Sequence, residues 1–66
     1  MIDARFWFDE TNTFVDLGLD YIPRAGEAVN YTYESGRSVA RTVKEIEWFV
    51  AADGKQSVVV TLAQAE

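Results

Sequence analysis

Asp20-Tyr21-Ile22-Pro23-Arg24-Ala25-Gly26-Glu27-Ala28-Val29 is the stretch that decides the fold. Pro23 is the only proline, and Gly26 follows it closely. Proline fixes φ near about −65° and lacks a backbone donor. Glycine takes positive φ at no steric cost. Tyr21 and Ile22 precede this pair, and Ala28 and Val29 follow it. The chain therefore turns here between two apolar segments, as at the elbow of a small β-barrel.

Upstream of the elbow, the pattern has a period of two. Ile2, Ala4, Phe6 and Phe8 alternate with Asp3, Arg5 and Trp7. Val15, Leu17, Leu19 and Tyr21 alternate with Phe14, Asp16, Gly18 and Asp20. Such alternation is the signature of strands. Asp9-Glu10-Thr11-Asn12-Thr13 is a polar turn between them, with Asn12 suited to left-handed φ. Ile2–Phe8 and Phe14–Tyr21 thus read as an antiparallel hairpin. Gly18 in mid-strand predicts a bulge or bend.

Downstream, Glu27–Glu34 reads as a third strand, with Val29, Tyr31 and Tyr33 on one face and Ser35-Gly36 turning the chain after it. In Ser38–Ala52, Val39, Val43, Ile46 and Val50 lie at helical spacing. The β-branched content and the Trp48-Phe49-Val50 ending favour a strand instead. The step of three between Val43 and Ile46 then marks a bulge that resets the alternation. Asp53-Gly54 is a strong hairpin signal between apolar runs. Gln56–Leu62 closes the fold, its Val58-Val59-Val60 run predicting cover on both faces, and Ala63–Glu66 is expected to fray. Five short strands joined mostly between sequential neighbours give an all-β domain over residues 1–66. Its simplest form is a partly open SH3-like barrel.

The segment from Pro23 to Val29 fits a Pro-x-x-Gly-Glu-x-Val pattern. With the aromatic first strand, the bulged Val43–Val50 segment, Asp53-Gly54 and the Val-rich last strand, the chain resembles small uncharacterised SH3-like β-barrel proteins of bacteria and phages. The resemblance implies a barrel and an origin in a phage or mobile element. It implies no catalytic residue.

Composition excludes several chemistries. The chain lacks cysteine and histidine. Disulfides, thiolate metal sites and Cys nucleophiles are therefore out, and so are the commonest metal ligand and the commonest acid/base catalyst. A cytoplasmic location is expected from the missing cysteines, and Met1–Arg5 does not read as the start of a signal peptide. Apolar runs fall far short of the ~20 residues of a membrane helix, so no membrane partner is expected. Eleven acids against six bases give a net charge of −5. This argues against direct binding to nucleic acid, which needs clustered Lys and Arg, and suits a basic protein partner.

Candidate sites follow from these patterns. Asp16 and Asp20 share a strand face, but four residues of strand put them ~13–14 Å apart, too far for a catalytic pair. Glu45 and Glu47 form an acidic edge without the Gly-containing oxygen-rich loop of a calcium site. No enzyme activity, metal or cofactor is expected. Trp7 and Phe14 lie opposite their strands' main apolar rows, beside Arg5, Asp16 and Asp20. An aromatic pair ringed by acids reads as a partner-binding patch, with a homodimer contact, or the contact of a self-assembling structural protein, as another use of it. The alternative site is a nucleotide- or oligonucleotide-binding surface built from Arg24, Arg41 and Lys44 with Tyr31 and Tyr33, which combines charge with stacking.

Overall fold

A computed structural model describes residues 1–64. Five strands are present: β1 (Ile2–Phe8), β2 (Thr13–Leu19), β3 (Ala28–Thr32), β4 (Ser38–Val50) and β5 (Gln56–Ala63). The described residues contain no helix. The strands form one sheet in the order β2-β1-β5-β4-β3, curled into a partly open half-barrel. Neighbours pair antiparallel except β1 and β5, which run parallel. Ala63 is the last residue of β5 and is not frayed; Ala65 and Glu66 lie outside the described residues.

The period-two pattern creates the core on the concave side. Ala4, Phe6 and Phe8 of β1 are opposite Val58, Val60 and Leu62 of β5, and all six are buried. Val43 of β4 joins them opposite Leu62. Val15, Leu17 and Leu19 from β2 and Val29, Tyr31, Val39 and Ile46 from the other side complete the cluster. Val59 faces the other way and is half-buried, so the Val58-Val59-Val60 run is covered on both faces.

Ser38–Val50 is one long strand, and its helical spacing comes from a bulge. The β4–β5 register slips between Val43 and Glu45, which places Lys44 as the extra residue. Ile46, Trp48 and Val50 then resume the inward-facing row. β4 serves two neighbours. Its first part pairs with β3 (Ala28↔Thr42 to Thr32↔Ser38), and its remainder pairs with β5. The Asp53-Gly54 hairpin follows the expected chemistry. Gly54 has φ of 90°, donates to the Ala51 carbonyl at 2.9 Å, and Ala51 N–H donates to Lys55 at 2.9 Å. Ser35-Gly36 closes the β3–β4 hairpin with the same bonding pattern from Tyr33 to Arg37.

The elbow has a different task from joining adjacent strands. β2 and β3 are at opposite edges of the sheet, so the opening of the barrel falls between them. β2 ends at Leu19, level with Ile2, whereas β3 begins at Ala28, level with Thr42. Residues 20–27 therefore climb the open side. Pro23 is tolerated there because no ladder needs its N–H. Ile22 reaches in to pack on the core. At the top, Glu27 N–H donates to the Arg24 carbonyl at 3.1 Å across a turn whose third residue is Gly26, with φ of 91°. The Glu27 carboxylate also accepts the Arg24 N–H at 2.5 Å. Gly26 N–H and the Glu27 carbonyl then bond to Val43, both at 2.9 Å. This is why a Gly-Glu-x-Val step works here: Gly26 makes the turn, Glu27 caps it, and Val29 enters the core.

Three expectations need correction. β2 stops at Leu19 rather than Tyr21, because the chain must leave the ladder to climb. β3 is confined to Ala28–Thr32, since Glu27 belongs to the turn before it and Tyr33 to the hairpin after it. Gly18 marks no bulge, for the β1–β2 register runs unbroken from Ile2↔Leu19 to Phe8↔Thr13. The Met1 side chain lies in the space that a Cβ at Gly18 would occupy.

Candidate functional site

The hairpin register assembles a cluster on the convex face. A turn through residues 9–12 sets Trp7 opposite Phe14 and Arg5 opposite Asp16. The Trp7 and Phe14 rings stack with centroids 6.1 Å apart and planes 15° apart, within the range of favourable offset pairs. Arg5 Nε and Nη2 donate to the two Asp16 carboxylate oxygens at 2.7 and 3.1 Å. Its Cζ lies 4.1 Å from the Phe14 ring centroid, in cation–π geometry. Phe14 is 48% exposed and Trp7 is half-buried. The stacked pair is thus held in place by a bidentate ion pair while remaining open to solvent.

The sheet carries this cluster on to β4. Trp7 is opposite Thr61, which is opposite Glu45; Arg5 is opposite Val59, which is opposite Glu47. Asp3 is opposite Ser57, which is opposite Phe49. At ~4.8 Å per strand, Glu45 and Glu47 stand ~10 Å from the β1 row. Toward the Asp3 end of this face a shallow groove lies between Arg5 and Phe49, lined also by Asp3, Asp16, Ser57 and Val59. Among the described residues, Asp3, Glu45 and Glu47 form no ion pair. No protein-family model matches the chain, no curated protein matches it, and no solved structure matches it.

Of the predicted patch, Trp7, Phe14 and Asp16 come together and Asp20 does not. Asp20 lies past the end of β2, where the chain leaves the sheet. Asp16 is committed to Arg5, so its charge is locally neutralised. The acids that remain on this face are Asp3, Glu45 and Glu47. Arg5 was legible from the turn length, which fixes its cross-strand partner. The position of Glu45 and Glu47 depends on the bulge and the β4–β5 register, which are non-local.

In the alternative set the tyrosines pack on the core, and Arg41 and Lys44 are held in ion pairs. Arg41 lies on the concave row between Val39 and Val43, is 18% exposed, and binds Glu10 of the β1–β2 turn. Its Nη1 also donates to the Ala40 carbonyl at 2.7 Å. Lys44 Nζ donates to Asp9 at 3.3 Å. Tyr31 and Tyr33 fold inward against β1. Tyr31 packs at 6.1 Å from Phe6 and 6.0 Å from Phe8, and Tyr33 stacks 6.3 Å from Phe8. Arg24 lies in the turn before β3, whose Gly26 and Glu27 bond to Val43. These residues close the barrel and tie the β1–β2 turn to β4.

Hydrogen bonding from Arg5 holds the Asp16 carboxyl below the usual carboxylate range, with partial desolvation opposing and the Arg5 charge assisting. A depressed folded-state pKa stabilises the fold above the unfolded pKa, and that stability is lost as pH falls through the folded value. Asp16 is therefore expected to protonate at lower pH than an unpaired Asp, and Arg5→Gln is expected to restore ordinary titration. Carboxyl chemical shifts followed against pH check this; an Asp16 midpoint unaffected by Arg5→Gln contradicts it.

Proposed function

We propose that this chain is a non-catalytic protein-binding module of the SH3-like kind, and that its convex face binds a basic partner. The observation that carries this reading is the partly exposed Trp7–Phe14 stack on the same face as Asp3, Glu45 and Glu47. Aromatics of this type anchor interfaces by burying large area with few rotatable bonds. The acids beside them, in a protein of net charge −5, draw a positively charged partner and reject acidic ones. The groove between Arg5 and Phe49 receives a side chain from that partner. Resemblance to phage and bacterial barrels supports a cytoplasmic accessory protein that inhibits a host nucleic-acid-handling protein, with carboxylates occupying sites otherwise used by phosphates.

A lysine-rich peptide with interspersed apolar residues is the probe. Its affinity is expected to fall as salt is raised, because exposed charges are screened over ~8–10 Å at physiological ionic strength. Glu45→Gln with Glu47→Gln is expected to weaken binding about tenfold, in line with the worth of two peripheral charges at an interface. The double variant is also expected to flatten the salt dependence. Equal affinity of wild type and double variant at low salt would sink the proposal.

A further inference from the structure

The distal half of β4 has one hydrogen-bonding edge without a partner. In an antiparallel ladder, alternate residues aim their N–H and C=O groups at a given neighbour. Ala51 bonds to Lys55 at the foot of the β4–β5 hairpin. Counting back in register, Phe49, Glu47 and Glu45 aim at β5. Ile46, Trp48 and Val50 therefore aim away from it. Val43, before the bulge, bonds to Gly26 and Glu27 on that outer side. β3 pairs no further than Thr42. Among the described residues, no backbone bond reaches Ile46, Trp48 or Val50 from the outer side. The same segment is conspicuously apolar for an edge: Trp48 is 45%, Phe49 48% and Val50 68% exposed. Edges like this are normally blunted by inward charge, proline or cover.

We infer that this edge pairs antiparallel with the same edge of a second copy, about a two-fold axis at Trp48. The charge pattern selects both occupant and register. With the axis at Trp48, Ile46 faces Val50 of the second copy, Glu47 faces Phe49 and Glu45 faces Ala51. No acid meets an acid. With the axis at Glu47, the two Glu47 carboxylates would face each other, which is destabilising. With the axis at Phe49, Ile46 would face Ala52, beyond the end of β4 at Val50, and its pairing would be lost. The Trp48 register uses the outward N–H and C=O of all three free residues and places their side chains together on the concave face. It joins two half-barrels into one continuous sheet through a self-complementary contact, as a two-fold axis requires. The contact leaves the Trp7–Phe14 cluster free, but its Glu47 and Phe49 also belong to the convex binding face.

Mass in solution tests this, measured by sedimentation equilibrium from about 10 μM to about 1 mM. The wild type is expected to approach twice its 7.4 kDa chain mass. Because each copy carries −5, added salt is expected to strengthen dimerisation while weakening the basic partner of the convex face. Val50→Pro removes an outward N–H, which an edge strand tolerates; it is expected to stay at the mass of one chain with an unchanged β spectrum. Trp7→Ala is expected to remain dimeric. Hydrogen exchange of the wild type needs no variant to fold: the amides of Ile46, Trp48 and Val50 are expected to slow as concentration rises. A wild type that stays at 7.4 kDa throughout would overturn the inference. So would a dimer in which those three amides exchange at the same rate at every concentration.

Discussion

Phe8→Ala is expected to leave the protein largely unfolded at 37 °C. Phe8 is 2% exposed and lies where β1, β5 and the tyrosines of the β3 end meet. Its ring contacts both Tyr31 and Tyr33, and Leu62 is its neighbour on β5. Truncating a buried Phe costs about 3–5 kcal/mol, part transfer and part cavity. Sixty-six residues at typical values per residue give a total stability of only about 3–10 kcal/mol. The loss therefore takes most of the available margin. Phe8→Leu keeps much of the volume and is expected to remain folded at lower stability. Denaturant unfolding followed by circular dichroism compares the three proteins; a Phe8→Ala midpoint equal to wild type would contradict the placement of the core.

Trp7→Ala is expected to abolish most partner binding while sparing the fold. Trp7 is half-buried on the convex side and is not among the buried residues of the core. Removing it strips Phe14 of its stacking partner and leaves that half-exposed ring alone on the face. Interface aromatics of this kind commonly carry 2 kcal/mol or more, a loss of about 30-fold in affinity. Trp7→Phe keeps a stacked ring and is expected to retain an intermediate affinity. Calorimetric titration with the lysine-rich peptide gives the comparison. An unchanged dissociation constant for Trp7→Ala would remove the aromatic pair from the interface.

Features with local physical causes were legible in the sequence. The alternation of Ile2–Phe8 fixed both a strand and its buried face. Asn12 takes left-handed φ, at 56°, as its place in the turn required. The step from Val43 to Ile46 revealed the bulge, since an extra residue is the simplest way to reconcile two period-two rows. What was hidden depends on ladders between distant segments. Nothing local to β1 or β5 says that they run parallel. Nothing local to Pro23 says that its segment bridges an opening rather than a pair of strands. Arg41 suits a nucleotide-binding surface by its charge, yet its alternation with Val39 and Val43 places it on the inward row. Its contact with Glu10 shows how a charge is accommodated there: at the rim, where the guanidinium meets the acidic β1–β2 turn. Asp16 looked available until the hairpin register set Arg5 against it.

The central claim is that the convex face, with its Trp7–Phe14 stack and its β4 acids, is the recognition surface. Titrating isotope-labelled protein with the lysine-rich peptide and following amide and indole resonances tests it most directly. The predicted result is a connected set of salt-sensitive shifts at the Trp7 indole, Phe14, Asp3, Glu45, Glu47 and Val59, with Tyr31, Tyr33 and Arg41 unmoved. Shifts centred on the tyrosines and Arg41, or no shifts at low salt, would contradict the account.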